Sequence, residues 1–585
     1  MIMMGAACAT TPPSTTSPVA PPARHSVDDA AARVTALADA YVHAFFRASP
    51  EAADFIGLRG APRGGLSDHS LAGVRAWDAQ LDGWLGELAH IDGDGLWGRP
   101  EWITYGFLRH VLESQRDLRA CRFELWPVNQ LTGWPATITA LARRQAVETA
   151  ADREQALDRF GRVARYIDDD RDNAREGLRL GYSSPESVVV LVMAQLDALI
   201  AAKTVDSPLY DPAKRASDPA FQARWTALIE DQIVPAARRY RAFLDEYRPR
   251  ARKAIGIAAN PDGARCYAAA FRSYTTLERS PEDTVRLGRA QVAKNVGESR
   301  AVARKLFGSD DTAAAVARLQ ADRANHFATR AEIQAFTHDV IARAKAALPR
   351  WFGQLPQGDV TVEPVPDFLE AAASSSYRPP SQDGRRAAAY VINLGQPDQQ
   401  LRSNVEITAL HETYPGHHLQ VGIEAEHQSQ PIALIAGNSA FREGWARYAE
   451  ALSEEMGLYS SDYARIHRRM WPARGMVVDP GLHLQGWTRQ QAVDYMVESG
   501  RFTAKECDAL VDRVAVWPGQ LTAYDTGALE FFALREQAER TLGARFRVAA
   551  FHDALLANGA VTLPMLREIG RRWIEAQAED QSKVR

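Results

Sequence analysis

Two histidines and two glutamates define the chemistry open to this sequence. His411 and Glu412 begin the octapeptide His411-Glu412-Thr413-Tyr414-Pro415-Gly416-His417-His418. When a His-Glu pair is followed by another His four residues after the first, two imidazoles lie on one helix face. They can hold a single zinc while the Glu moves protons. Here the fourth position is Pro415. Its ring clashes with the His411 carbonyl and offers it no N–H, so the helix opens at that turn, where Gly416 accepts unusual dihedrals. On an unbroken helix His417 points about 120° away from His411, and His418 returns to the same face only about 10 Å along the axis. Neither then shares a zinc with bonds of about 2.1 Å. A two-residue bulge at Tyr414-Pro415 repairs the spacing and makes His417 the second ligand, with His418 as the alternative. The competing reading is a hydrogen-bonded His pair beside a proline kink.

A third ligand comes from the next helical stretch, Phe441-Arg442-Glu443-Gly444-Trp445-Ala446-Arg447-Tyr448-Ala449-Glu450. Glu443 completes the His2Glu set that leaves zinc one open position, and Glu450, two turns on, is the candidate supporting partner. The expected cofactor is one Zn2+ per chain. Glu412, adjacent to the first ligand, is the candidate general base. The stretch AAAYVINL (387–394) reads either as an edge strand with amides free to pair with a peptide, which makes Tyr390 and Asn393 substrate-binding candidates, or as an internal strand of the sheet. Arg385 and Arg386 are candidates to receive a substrate carboxylate through bidentate bonds.

The elements that must position these groups are mostly helical. From Ser26 onward, apolar residues recur at three-four spacing, notably over 68–92, 100–118, 150–176, 186–202, 218–246, 282–307, 329–346 and 486–498. Strand patterns occur at 358–366 and 387–394, just before the octapeptide. Ser403-Asn404-Val405-Glu406 has the spacing of a capping box that starts the helix into His411. The expected fold is therefore mainly α, with a small sheet beside the metal helix. One domain spans 27–585, with a subdomain break near 248–263, where AANPDG interrupts the helices.

Hydrophobic residues are 46% and charged residues 24% of the 585 residues, a globular composition. The net charge of −4, without long runs of one sign, argues against nucleic acid as a partner. The four cysteines, at 8, 121, 266 and 507, are far apart in sequence and predict neither a thiol metal site nor a disulfide framework. Residues 1–26 combine a short apolar start, GAAC and a Ser/Thr/Pro-rich run. They read as a lipoprotein-type leader with Cys8 acylated, giving membrane attachment in the periplasm or outer envelope. The other reading is an unfolded end on a cytoplasmic chain.

HETYPGHH and EGWARYAE together resemble the bacterial family catalogued as domain of unknown function 885. The resemblance continues through NAREGLRLGYSSPESV (173–188), CYAAAFRSYTTLERSPEDTVRLG (266–288), RPPSQDGRRAAAYVINL (378–394), VVDPGLHLQGWTRQQAVDYM (477–496) and PGQLTAYDTGALEFFALREQAE (518–539). That family is in turn similar to the helical gluzincin peptidases, such as thimet-type oligopeptidases, angiotensin-converting enzyme and thermostable carboxypeptidases. These carry H-E-x-G-H on one helix and a Glu ligand about 25 residues later. The two-residue insertion is this chain's departure from that pattern. The resemblance implies a large helical body with a deep cleft, short peptides as substrate and Tyr524 as the oxyanion donor. His483 is the second candidate for that donor. The alternative functions are hydrolysis of a non-peptide or cell-wall amide, and a catalytically silent peptide-binding lipoprotein.

Overall fold

The computed structural model describes residues 26–579, apart from 59, 61–62, 367–369, 371–373 and 428–429. Cys8 and the leader lie outside the described residues. Among the described residues the chain is mainly helical, and three strands form one small sheet.

Helix boundaries follow local chemistry. The first helix, Val27–Ala48, starts at Ser26, which forms a capping box with Asp29. Pro100–Leu118 and Pro281–Phe307 open on a proline, whose missing N–H is one of the unpaired donors of a first turn. The expected helix over 150–176 is two, Ala150–Phe160 and Val163–Leu180, separated at Gly161-Arg162.

Two large apolar clusters organise the packing. One joins the N-terminal helices to those after residue 277, and runs through Trp445, Phe531 and Leu566. The other is built almost entirely from residues 128–251, around Trp134, Phe160 and Trp225, and takes in Ala515 and Val516. A smaller cluster around Tyr267 and Phe271 contains a disulfide between Cys121 and Cys266, 145 residues apart. This corrects the expectation drawn from cysteine spacing. Helix Gly263–Thr275 packs on the end of Pro100–Leu118 and on the turn Arg119–Cys121, so a tertiary contact pairs two thiols that look isolated in sequence.

The sheet consists of β1 (Thr361–Pro364), β2 (Ser376–Arg378) and β3 (Ala389–Ile392), in the order β1-β3-β2. β3 is parallel to β1 and antiparallel to β2, with Tyr377 opposite Tyr390. The strand expected at 387–394 is thus central rather than an edge, and its backbone is paired on both sides. β1 and β2 are the edges, and the Tyr377 N–H of β2 donates to Glu412.

The metal-motif segment forms two helices, Arg402–Glu412 and His417–His427. The capping box expected at Ser403 is absent, because the N-cap is Leu401. Ser403 instead shares a hydrogen bond with His467, and the buried Glu406 accepts from Ser460 and Arg343. Tertiary partners have replaced the local cap.

Candidate metal centre

At the join between the two helices the chain makes a two-residue excursion. The Gly416 N–H donates to the Leu410 carbonyl at 3.1 Å, spanning six residues where a regular helix spans four. Thr413 leaves helical dihedrals, and the Tyr414-Pro415 peptide is cis. The excursion is held from outside by Trp445, whose Nε1 donates to the Pro415 carbonyl at 2.9 Å. Gly416 is required by close approach, because a Cβ there would lie 1.9 Å from the His411 carbonyl oxygen.

This geometry brings His411 and His417 together. Their rings stand perpendicular, with centroids 4.8 Å apart. The Glu443 carboxylate, from helix Ser439–Glu455, lies 3.7 Å from His411 Nε2 and 3.5 Å from His417 Nε2 through the same Oε2. One ligand atom from each of the three residues can be chosen so that all lie within 4.8 Å of one another, and among the described residues this is the group able to hold a metal ion. Ligands about 2.1 Å from a tetrahedral zinc are about 3.4 Å apart, so the set fits zinc in donor type and spacing.

The surroundings favour this use. His411, 8% exposed, directs Nδ1 at Glu450 Oε1, 2.9 Å away, which leaves Nε2 facing Glu443. Glu450 is held in turn by two bonds from Arg447, at 2.7 and 2.8 Å, with Arg501 3.6 Å away. Burial opposes ionisation of Glu450, but these guanidiniums and His411 hold its carboxyl well below the usual range. Glu443 is likewise held low: burial opposes ionisation and hydrogen bonds with His411 and His417 outweigh it. Burial works against a charged His411, yet contacts with Glu443 and Glu450 raise it to about 9.

Glu412 projects beside this group without joining it. Its Oε2 accepts from the backbone N–H of Tyr377 in β2 at 2.8 Å, and burial raises its pKa. Tyr524, near the start of helix Ala523–Leu542, stacks against His411 with centroids 6.4 Å apart. That approach depends on two glycines. A Cβ on Gly527 would fall 1.7 Å from the Ala440 carbonyl, and one on Gly444 would fall 2.4 Å from Gly527. The helix carrying Tyr524 can therefore lie backbone to backbone on the helix carrying Glu443.

His418 is turned away from the group. Its Nδ1 meets the Tyr377 hydroxyl at 3.2 Å and its Nε2 the Gly358 carbonyl at 3.1 Å, and burial lowers its pKa to about 4. His483 also stands apart. Its Nδ1 accepts from the Ile257 N–H, its Nε2 bonds the Val514 carbonyl, and burial lowers its pKa to about 3.

His411, Glu412, His417, Glu443 and Tyr524 line one cavity of about 1750 Å³. Arg386, Tyr390 and Asn393 line it too, whereas Arg385 is on an exposed turn outside it. Asn393 ties loops together, donating to the Glu370 carbonyl and accepting from the Gly395 N–H. Sequence reasoning missed Tyr377, because a three-residue strand has no readable pattern. It also missed Arg447, which its three-residue spacing from Glu450 could have flagged.

A family profile described as "Bacterial protein of unknown function (DUF885)" matches residues 50–569. Two solved structures share the fold. A candidate lipoprotein from Colwellia psychrerythraea has a TM-score of 0.84 at 23% identity, covering 93% of this chain and 99% of its own. A candidate lipoprotein of unknown function from Shewanella oneidensis has a TM-score of 0.75 at 18% identity, covering 92% and 99%. No curated protein matches the chain.

Proposed function

The chain belongs to the bacterial family DUF885, and we propose that it is a zinc-dependent metallopeptidase acting on short peptides. The observation that carries this reading is the convergence of His411, His417 and Glu443 at one wall of a large cavity, with Glu412 beside them. The similarity of the motif to helical gluzincin peptidases, with two residues inserted, supports the same reading.

Zinc, which His411, His417 and Glu443 would hold, would supply a Lewis acid and lower the pKa of a bound water. The protein's own groups do the rest. Glu450 accepts a hydrogen bond from the Nδ1–H of His411 and so keeps Nε2 available as a ligand. The Tyr377 amide occupies one oxygen of Glu412 and leaves the other to accept a proton from the attacking water. Burial, which raises the Glu412 pKa, suits it to pass that proton to the leaving amine. In this reading the Tyr524 hydroxyl, whose ring stacks on His411, donates to the developing oxyanion.

An envelope location fits this reading. The Cys121–Cys266 disulfide suits an oxidising compartment, and both similar structures are described as candidate lipoproteins. No helix among the described residues is long and apolar enough to cross a membrane, so attachment would rest on acylated Cys8.

The deciding experiment is Glu412→Gln, which keeps the size and removes the base. The wild type should hold about one zinc per chain, as one such site implies, and hydrolyse short peptides. The variant should keep its zinc and lose roughly 10²- to 10⁴-fold in rate, the usual scale for a lost general base. Hydrolysis at the wild-type rate rejects this mechanism. Loss of zinc makes Glu412 a ligand and shifts the register of the site.

A further inference from the structure

Three of the arginines that line this cavity are already committed to carboxylates, while Arg386 and Arg513 have no carboxylate ion pair among the described residues. Arg442 bonds Glu424, Arg447 bonds Glu450 and lies 3.6 Å from Asp525, and Arg501 lies 3.6 Å from Glu450. Arg513 differs. It lies in the last turn of helix Ala504–Val516 and lines the cavity, and no described carboxylate forms an ion pair with it. Its contacts are neutral: Nη2 donates to Gln520 Oε1 at 2.6 Å and to the Tyr524 hydroxyl at 3.1 Å. The guanidinium also lies 5.5 Å from the Trp517 ring centroid and 6.0 Å from that of Tyr524. Nε and Nη1 are left with no partner among the described residues.

Three N–H donors on a fixed planar cation, partly desolvated and facing a cavity, match a carboxylate better than any neutral group. Their position defines which carboxylate. Tyr524 is shared, with its hydroxyl on Arg513 and its ring stacked on His411. An anion on Arg513 therefore sits next to the reacting centre rather than at the cavity mouth. One peptide residue spans about 3.5 Å, so only a short stretch fits between the two points.

We propose that Arg513 receives the free α-carboxylate of a peptide, so that the protein removes one or two residues from carboxyl termini. The inference rests on the peptidase reading and names its substrate end. In the reaction, water adds to the carbonyl carbon, the C–N bond breaks, and the leaving nitrogen takes a proton. The products are a shortened peptide acid and a free amino acid or dipeptide.

The test uses the full-length zinc-loaded protein and N-acetylated hexapeptides of mixed sequence, made both as free acids and as carboxamides. The free acids should be cleaved with kcat/KM on the order of 10- to 100-fold higher, the scale of a hydrogen bond to a charged group. Mass spectrometry should show products shortened from the carboxyl end. Arg513→Met should abolish the preference, and Arg513→Lys should retain part of it, both with unchanged zinc content and melting temperature. Should Arg513→Met fail to fold, the wild-type comparison and Arg513→Lys decide. Calorimetric binding of the same peptides to Glu412→Gln should show the same preference without turnover. Equal cleavage of acids and amides overturns the carboxylate site and leaves the peptidase reading standing. If neither is cleaved, the peptidase reading falls, and the binding preference alone decides the role of Arg513: its absence overturns the proposal.

Discussion

At the scale of the residue, the site separates two neighbouring histidines by what their second nitrogen meets. His417 presents Nε2 to Glu443, whereas both nitrogens of His418 are engaged by Tyr377 and Gly358. His417→Ala should therefore abolish zinc binding in a metal assay, while His418→Ala should keep about one zinc per chain, as the intact His2Glu set implies. The reverse order would assign the ligand to His418. Glu450→Gln keeps the shape of the carboxylate that orients His411 but removes its charge. Zinc affinity, measured by competition with a chelator, should fall by roughly 10- to 100-fold. An unchanged affinity would make Glu450 a purely structural partner of Arg447. These roles were partly legible in sequence, because the spacing of His411, Pro415 and His417 demands an excursion of two residues. The choice between His417 and His418 was not, because it depends on which side of the second helix meets Gly358 and β2.

At the scale of the element, sequence patterns hold where local chemistry is sufficient. Pro100–Leu118 has a proline at its start and apolar residues at helical spacing, and it forms over the expected span. The capping box at Ser403 fails because Glu406 finds Arg343 and Ser460, which lie far away in sequence. The disulfide was hidden for the same reason, and the place of β3 stayed open between edge and centre because AYVI reads alike at either. The elements also have tight points that sequence alone does not reveal. Gly416→Ala should disturb the excursion and lower zinc affinity, since its Cβ would overlap the His411 carbonyl. Gly527→Ala places a methyl inside the contact with Ala440 and should destabilise the fold by about 1–3 kcal/mol or more, measured by denaturant unfolding. Wild-type stability in Gly527→Ala would mean that the two helices can separate freely.

At the scale of the whole molecule, several histidines are buried without charge. Burial lowers His110 to about 4, and His467, His483 and His552 to about 3. In the unfolded chain each titrates near 6.5, so between about pH 6.5 and 4 the unfolded state binds protons that the folded state refuses. Stability should therefore fall as pH drops through that window, by up to about 1.4 kcal/mol per pH unit for each histidine. Asp479, which burial raises to about 7, works the other way, as do the buried Glu406, Glu412 and Asp525, whereas His418 and the carboxylates held low at Glu443, Glu450 and Glu568 act with the histidines. Denaturant midpoints at pH 7.5 and 5 test the sign: a higher midpoint at pH 5 would show that these histidines are hydrated in the native protein. The recessed position of His411, Glu412 and Glu443 has a different consequence, for safety in a crowded compartment. A folded neighbour presents convex surface, and its backbone cannot reach nitrogen and oxygen atoms set back in a cavity wall. Loose chain ends and fragments can. Under the proposed peptidase reading, the shape of the cavity alone sorts loose ends and fragments from the folded proteins around it.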